Sequence, residues 1–457
     1  MIDTHAHLDF PDYKDDLSAV IERAQGNGVS HIITVGTDMA SSKRAIDIAS
    51  RYSNVYASVG IHPSNSKDVK PEDWKEFEKL ISEKKVVAIG ETGLDFHKDY
   101  APKDAQEKVF IKQLELASEY ELPVIVHSRE AHPECLKTLK QVMGNEVIGV
   151  AHCFSGTAEV AEEYLKLGMS ISIGGPITFP KSEQLKKVAK KITVENLLLE
   201  TDCPFLAPQS KRGQRNEPAY LTYCIEELSK IYGLSIADID RVTSHNAKKL
   251  FGFEQLVKEG EVAYSIRNSL YLNITNRCTA QCYFCVTKFT DYVKGHNLRL
   301  KIEPSLEEVI KAIPDNVSKK YKEVVFCGYG EPTLRLDVIK GVAKHLKNKG
   351  MNIRLNTNGH GNLIHKRSIA VELKGLIDVV SVSLNATDPK EYVKTCNPQF
   401  GEITLSKVLE FINDAKNNLP YVEITTVIRP GIEADRFRDF AKELGVDFRA
   451  RIYNEVG

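Results

Sequence analysis

The chain has 457 residues, with 61 Lys or Arg against 62 Asp or Glu. A net charge of −1 argues against wholesale coating of nucleic acid, though it leaves room for a local basic groove. No apolar run is long enough to span a membrane, and no basic segment followed by an apolar one marks a secretory signal, so a cytoplasmic protein of two domains is expected.

The first half alternates short β-branched runs with longer amphipathic ones. The runs are MIDTHAHL, HIITVG, VYASVGIHP, VVAIGETGLD, LPVIVHS, VIGVAHCFSG, MSISIGG and LLLETDCP, with helical patterns such as AQEKVFIKQLELASEY between them. Strand and helix repeated about eight times over about 250 residues predict a (β/α)8 TIM-type barrel. The runs are nearly continuous in Val and Ile, as parallel strands buried on both faces require. After a helical stretch ending HNAKKLFGF comes EQLVKEGEVAYSIRN, polar with a single Gly, and the domains are placed at 1–257 and 258–457. Beyond it LYLNIT, EVVFCG, IRLNTNG, VVSVSLNA, VEITTVI and DFRARI make about six strands in about 190 residues, with helices such as TLSKVLEFINDAKNNL between. That pattern predicts a (β/α)6 partial barrel.

In a parallel barrel, functional groups gather at the C-terminal ends of the strands. Strand one ends with His5 and His7, which lie on one side of it. The third gives His62, the fourth Glu91 and Asp95, the fifth His127, the sixth His152 and the eighth Asp202. Left unpaired, so many buried ionisable groups would each cost kilocalories. Imidazole and carboxylate together suit a divalent ion such as Zn or Mn, and a Glu between two groups of ligands can bridge two ions. Two ions about 4 Å apart polarise a scissile bond and lower the pKa of a bound water, which is hydrolytic chemistry.

The stretches DTHAHLD, GIHP, IGETGLDF, LPVIVHSREA, HCFSG and LLLETDCPFLAP…GQRNEPAYL, in that order, resemble the TatD family of metal-dependent nucleases over about residues 1 to 255. The resemblance implies two divalent ions (Zn, Mn or Mg) held by His5, His7, Glu91, His127, His152 and Asp202. Glu91 would bridge them, Asp202 would also serve as base, and His62 would sit by the scissile phosphate. Arg129 and the turn SKRGQRNEP are phosphate-holding candidates, since Arg pairs bidentately with phosphate. Thr92 departs from the family, which usually has an apolar residue there. The substrate implied is DNA or another nucleotide-containing ester, and end-trimming suits the neutral charge. A small amide, lactone or aminoacyl ester is the alternative.

Of nine cysteines, six are scattered and read as free buried thiols in a reducing compartment. Cys278, Cys282 and Cys285 stand apart as CxxxCxxC directly after LYLNIT. Clustered thiolates bind a soft metal, and a closed zinc site would need a fourth ligand that no downstream pair supplies. The spacing therefore points to a 4Fe–4S cluster with one iron open, with zinc as the alternative. The Gly-rich turn GYGE exposes backbone groups to a ligand, and Phe284 offers a flat face for a purine.

This second half resembles the radical SAM superfamily over about residues 266 to 457. The resemblance implies S-adenosyl-L-methionine on the open iron, radical chemistry on an unknown substrate, and an electron donor such as flavodoxin or ferredoxin. Gly328, Gly330 and Glu331 would hold the methionine amine, and Asn356, Ser383 and Asn385 the ribose and carboxylate. Arg429 would contact cofactor or substrate. Many members carry a C-terminal extension; here RIYNEVG ends the chain, so the barrel is expected to lack its last helix and to have its side closed by a second protein. The expected whole is a bifunctional enzyme. A cluster that serves as a redox sensor gating the hydrolase is the alternative.

Overall fold

The computed structural model describes residues 1–252, 259–429 and 431–453. The chain divides into two compact units, Met1–Leu256 and Val257–Gly457. The expected boundary after residue 257 falls outside the described residues. Among the described residues no helix is long and apolar enough to cross a membrane.

The first unit is an eight-stranded parallel sheet in the order β1 to β8. Its strands are β1 Ile2–Ala6, β2 His31–Val35, β3 Val55–Val59, β4 Val86–Asp95, β5 Val124–Arg129, β6 Gly149–Ala151, β7 Ser170–Ile173 and β8 Leu197–Leu199. Every strand pairs with its predecessor in sequence, as βα repeats with right-handed crossovers produce. A parallel bridge between Ala6 and Cys203, with His7 N donating to Cys203 O at 2.8 Å, joins the first strand to the last. Alternate strand residues divide between two cores. Ile32, Val55, Ile89, Val126 and Leu197 pack towards the helices. Ile2, Ile33, Val87, Ile125 and Leu198 pack with Ala247 and Phe251 of the helix Ile236–Phe251. All ten residues of β4 are buried.

The second unit is a seven-stranded sheet in the order β17-β16-β15-β14-β13-β10-β9. Its strands are β9 Ala263–Ile266, β10 Ser269–Leu272, β13 Glu323–Phe326, β14 Asn352–Thr357, β15 Val379–Ser383, β16 Tyr421–Ile428 and β17 Asp447–Ile452; β11 Tyr292–Val293 and β12 His296–Asn297 form a separate small hairpin. From β10 to β17 the pairing is parallel, and these are the six strands expected. The seventh, β9, pairs antiparallel with β10 through a two-residue turn at Arg267 and Asn268. It lies in the stretch read from sequence as polar. Tyr264 is 4% exposed while Ile266 and Tyr271 pack partly buried beside it, so a short edge strand with one covered face hid among charged neighbours.

Candidate functional site

All eight strand-end residues of the first unit converge at one rim. Glu91 stands at the centre with 4% exposure. Its Oε2 faces His5 Nε2 at 3.5 Å and His7 Nε2 at 3.8 Å. Its Oε1 faces His127 Nδ1 at 2.7 Å, His152 Nε2 at 3.1 Å and His62 Nε2 at 3.7 Å. Asp202 Oδ1 completes the first group, 3.7 Å from His5 Nε2 and 3.4 Å from His7 Nε2. The two sets His5, His7, Asp202 and Glu91, His127, His152 each place their donor atoms within 4.8 Å of one another. Asp95 forms a third such set with His62 and His127.

The backbone makes this convergence possible. A Cβ on Gly93 would stand 2.0 Å from His127 O, one on Gly90 2.6 Å from Ile125 Cβ, and one on Gly60 2.3 Å from Gly90 C. Only glycine lets β3, β4 and β5 close this tightly beneath Glu91 and His127. Asp202 sits at φ 55°, with its N–H on His5 O at 2.9 Å, which turns its carboxylate back over β1. Thr92 has a structural reason: its hydroxyl accepts from Gln113 Nε2 at 2.6 Å, and Gln113 also holds Ile61 through both N–H and C=O.

Partners outside the cluster fix the imidazole tautomers. His7 Nδ1 donates to Val35 O at 3.1 Å, and His152 Nδ1 to Glu200 Oε2 at 3.3 Å, so each turns Nε2 to the centre, where its lone pair becomes available once an ion displaces the proton there. Ser64 N donates to His62 Nδ1 at 3.1 Å, which puts that ring's proton on Nε2. Burial pushes Glu91 and Asp202 up, but the surrounding histidines outweigh it: His152 and His62 hold Glu91 well below the carboxylate range, and His7 draws Asp202 down. Burial lowers His5, and it lowers His62 to about 4. Burial also opposes the charge on His152, yet Glu200 and Glu91 raise it well above its usual value. His5 Nε2 and His7 Nε2 stand 3.3 Å apart, and His5 Nδ1 is buried without a partner. Nitrogens and carboxylate oxygens crowded this closely, with lone pairs turned inward, are a donor set that a pair of cations fits.

Glu200 was not singled out from the sequence. It lies inside LLLETDCP, is 1% exposed, and also accepts from Cys153 N at 2.6 Å. A charged residue in an otherwise apolar strand was the available signal. The rim opens into a cavity of about 870 Å3 whose wall includes Phe10, Phe179, Phe205, Lys98, Arg129 and Lys181. Phe205 is 51% exposed and meets Phe10 edge-on at 5.7 Å, while Phe10 stacks on His7 at 4.8 Å. In the basic turn, Arg215 is already committed to Asp16, with Nη1 to Oδ1 at 2.8 Å and Nη2 to Oδ2 at 2.7 Å, and Arg212 lies over Phe179 at 4.5 Å.

In the second unit the cysteine loop follows β10 and runs antiparallel to 395–399: Ala280 bridges Pro398, and Gln281 N donates to Cys396 O at 2.9 Å. Cys282 packs against the core that contains Cys396, a neighbour unremarked in the sequence. Cys285 Sγ accepts from Thr287 Oγ1 at 3.1 Å and Cys278 Sγ from Asn358 Nδ2 at 3.8 Å. Among the described residues no three donor atoms within 4.8 Å of one another include these sulfurs, a spread that suits a multi-iron cluster better than a single zinc. A Cβ on Gly328 would stand 2.1 Å from Asn273 Oδ1 and one on Gly330 2.2 Å from Arg277 O, so the glycines let the turn press onto the cysteine loop. Glu331 is engaged within the protein: Oε1 accepts from Thr333 N, Thr333 Oγ1 and Thr357 Oγ1, and Oε2 from Asn358 N at 2.7 Å. Asn385 Oδ1 accepts from Val427 N at 3.0 Å, and Ser383 Oγ from Arg451 Nη2 at 3.2 Å. Asn356 Oδ1 is buried with no partner, an acceptor that a ligand hydroxyl fits. The Arg429 guanidinium lies 4.2 Å over Phe284, the residue expected to face a purine.

Comparison with known proteins agrees with both halves. A family model described as TatD related DNase matches residues 2–252, and one described as the radical SAM superfamily matches 272–444. The metal-dependent hydrolase YabD of Bacillus subtilis is 43% identical over 251 residues, which is 55% of this chain and 98% of that relative. A 3'-5' ssDNA/RNA exonuclease, TatD of Klebsiella pneumoniae, is 34% identical over 259 residues, covering 56% of this chain and 98% of its own length. The crystal structure of YjjV, a TatD homologue from Escherichia coli K12, superposes with a TM-score of 0.54 at 33% identity over 56% of this chain and 98% of that one.

Proposed function

Because the chain belongs to the TatD family of metal-dependent hydrolases and carries a radical SAM domain, we propose that its first half trims the ends of single-stranded nucleic acid at a two-ion centre, and that its second half performs radical SAM chemistry. One observation carries the first reading: the two oxygens of Glu91 face two different groups of nitrogen ligands. His5, His7 and Asp202 would hold one ion, His127 and His152 the other, and Glu91 both. Bound there, the ions supply Lewis-acid polarisation of the phosphoryl oxygen and a more acidic water.

The protein's own groups supply the rest. Asp202, held anionic at the rim, accepts the proton of the attacking water on its carboxylate. His62, neutral with its proton on Nε2, donates a hydrogen bond to a phosphate oxygen. Lys98, Arg129 and Lys181 supply local positive charge along the cavity wall for neighbouring phosphates, although the chain as a whole is neutral. Phe10 and Phe205 offer a platform on which a terminal base stacks, which a duplex end cannot use without unpairing.

The test is hydrolysis of end-labelled single-stranded oligonucleotides by the full chain, with His127→Ala as control. Stepwise shortening from one end, lost in the variant, is expected. Intact oligonucleotides beside rapid cleavage of an aminoacyl ester or lactone would overturn the nuclease reading. For the second half, three thiols and a glycine cradle would hold a 4Fe–4S cluster and S-adenosylmethionine. The check there is a cluster EPR signal that changes when S-adenosylmethionine is added under anaerobic conditions. A signal indifferent to it favours a redox sensor.

A further inference from the structure

Two thiols face each other where the cysteine loop lies against the end of the helix Pro389–Cys396. Residues 279–283 run antiparallel to 395–399 in one register. Gln399 N donates to Thr279 O at 2.9 Å and Tyr283 N to Thr395 O at 3.3 Å, and Ala280 bridges Pro398. Gln281 N is shared between Cys396 O at 2.9 Å and Asn397 O at 3.3 Å. That register sets Cys282 opposite Cys396, between the rungs that join Gln281 to Asn397 and Tyr283 to Thr395. Opposed residues at such a position have Cα atoms about 4.5 Å apart, inside the window of about 4.4–6.8 Å that a disulfide needs. Both side chains turn into one core: Cys396 is 2% exposed within it, Cys282 packs partly buried against it, and the two thiols interact directly. The other thiols of the loop have partners elsewhere. Cys278 Sγ accepts from Ala280 N at 3.5 Å and Asn358 Nδ2 at 3.8 Å, and Cys285 Sγ from Thr287 Oγ1 at 3.1 Å.

A sulfur bound to iron is not free to pair with another thiol. Stripped of iron, Cys282 is reachable by a small oxidant from its half-exposed side, while Cys396 stays covered behind it. Left alone, such a thiol climbs from sulfenic to sulfinic and sulfonic acid, and the last two steps destroy it as a ligand. Resting on the assignment of Cys282 as a cluster ligand, we propose that Cys282 and Cys396 form a reversible disulfide when the cluster is lost to peroxide, which caps the ligand before it is oxidised beyond recovery. Hydrogen peroxide transfers one oxygen to Cys282, giving the sulfenic acid and one water. The Cys396 thiol then attacks that sulfur; the S–O bond breaks, the S–S bond forms, and the hydroxyl leaves with the thiol proton as a second water. The two thiols have lost two electrons and two protons to the peroxide. Exchange with a dithiol reductant returns both thiols, after which Cys282 can take iron again.

The test treats the full chain, freed of iron by a chelator under anaerobic conditions, with hydrogen peroxide, then alkylates it and maps it by non-reducing peptide mass spectrometry. Cys278, Cys282 and Cys285 share the stretch between Arg277 and Lys288, so fragmentation must locate the linked sulfur. A peptide pair joined through Cys282 and Cys396, with the loss of two hydrogens, is expected after peroxide and not before. Dithiothreitol should remove it and let added iron and sulfide rebuild the cluster EPR signal. In Cys396→Ala the same peroxide dose should carry Cys282 to sulfinic and sulfonic acid, and most of the rebuildable signal should be lost. A disulfide from Cys282 to Cys278 or Cys285 in the wild type would overturn the proposal, as would Cys282 oxidised there as far as in the variant. The link is mapped on the iron-free chain, so it is read apart from the cluster. A wild-type chain that never takes up iron would fail the cluster assignment, and the protective role with it, even where the disulfide forms.

Discussion

Replacing Glu200 by Gln tests whether the centre depends on a residue outside the six proposed ligands, although its carboxylate lies within 4.8 Å of donor atoms of His5 and His152. Glu200 Oε1 accepts from Cys153 N at 2.6 Å, and Oε2 accepts from His152 Nδ1 at 3.3 Å. A glutamine oxygen can keep the first bond, but its NH2 then faces the imidazole as a second donor. To accept from that NH2, His152 must move its proton to Nε2, the nitrogen 3.1 Å from Glu91 Oε1. A protonated Nε2 has no lone pair for an ion. Loss of such an outer partner weakens metal binding about 10- to 100-fold, or about 1.4–2.8 kcal/mol. The swap nearly preserves volume at a site 1% exposed, so packing changes little. Titration with Mn2+, following free metal by EPR, reads the affinity of each site, and the cluster signal of the second unit serves as a control for integrity. Unchanged affinity would mean that the tautomer argument is wrong.

Glu91→Ala removes the group shared by both ligand sets, so both ions and at least about three decades of hydrolysis should go, measured as metal content and oligonucleotide turnover together. Phe205→Ala should erase the preference for an oligonucleotide with a normal terminal base over one ending in an abasic site, at a cost of about 1–3 kcal/mol in kcat/KM for the normal end alone. In Gly330→Ala the new methyl would need space 2.2 Å from Arg277 O, so iron content and the response to S-adenosylmethionine should both fall while hydrolysis by the first unit stays. Burial lowers His360 from 6.5 to about 4 in the folded chain, so between those values the unfolded chain binds the extra proton. The stability this residue contributes is complete above pH 6.5 and is lost as pH falls towards 4, by about 3 kcal/mol at most. Hydrogen exchange of the second unit should accelerate over that interval, and less so in His360→Gln.

The barrel and the convergence of its histidines were legible because both rest on local rules. Val- and Ile-rich runs at regular spacing make parallel strands, and a residue at a strand's C-terminal end must sit on the rim. Which atoms meet was not legible. The division of Glu91's oxygens between two groups depends on side-chain rotamers, and the pairing of His152 with Glu200 joins residues 48 apart in sequence. In the second unit CxxxCxxC and GYGE read clearly. The engagement of Glu331 by two threonines and the Asn358 amide was invisible, since it needs β14 laid beside β13. Likewise a sequence lists arginines and glutamates without saying which are paired, so the pairing of Arg354 with Glu323 and of Arg449 with Glu423 emerges only from the folded sheet. The short antiparallel β9 was missed because a two-strand edge element has too few residues for alternation to register.

Gly60, Gly90 and Gly93 carry no functional group, yet three neighbouring strands can meet only because they lack a Cβ. A lineage drifting in sequence would therefore find these positions as closed to change as the ligands, for steric reasons alone. Relief at one would not suffice, since a side chain at Gly60 meets the backbone of Gly90 itself. A mutational scan scored by hydrolysis would rank the three beside His127 and Glu91. Scored by metal content against folded yield, it would separate them again, because their substitution moves strands apart where loss of a ligand leaves the strands in place.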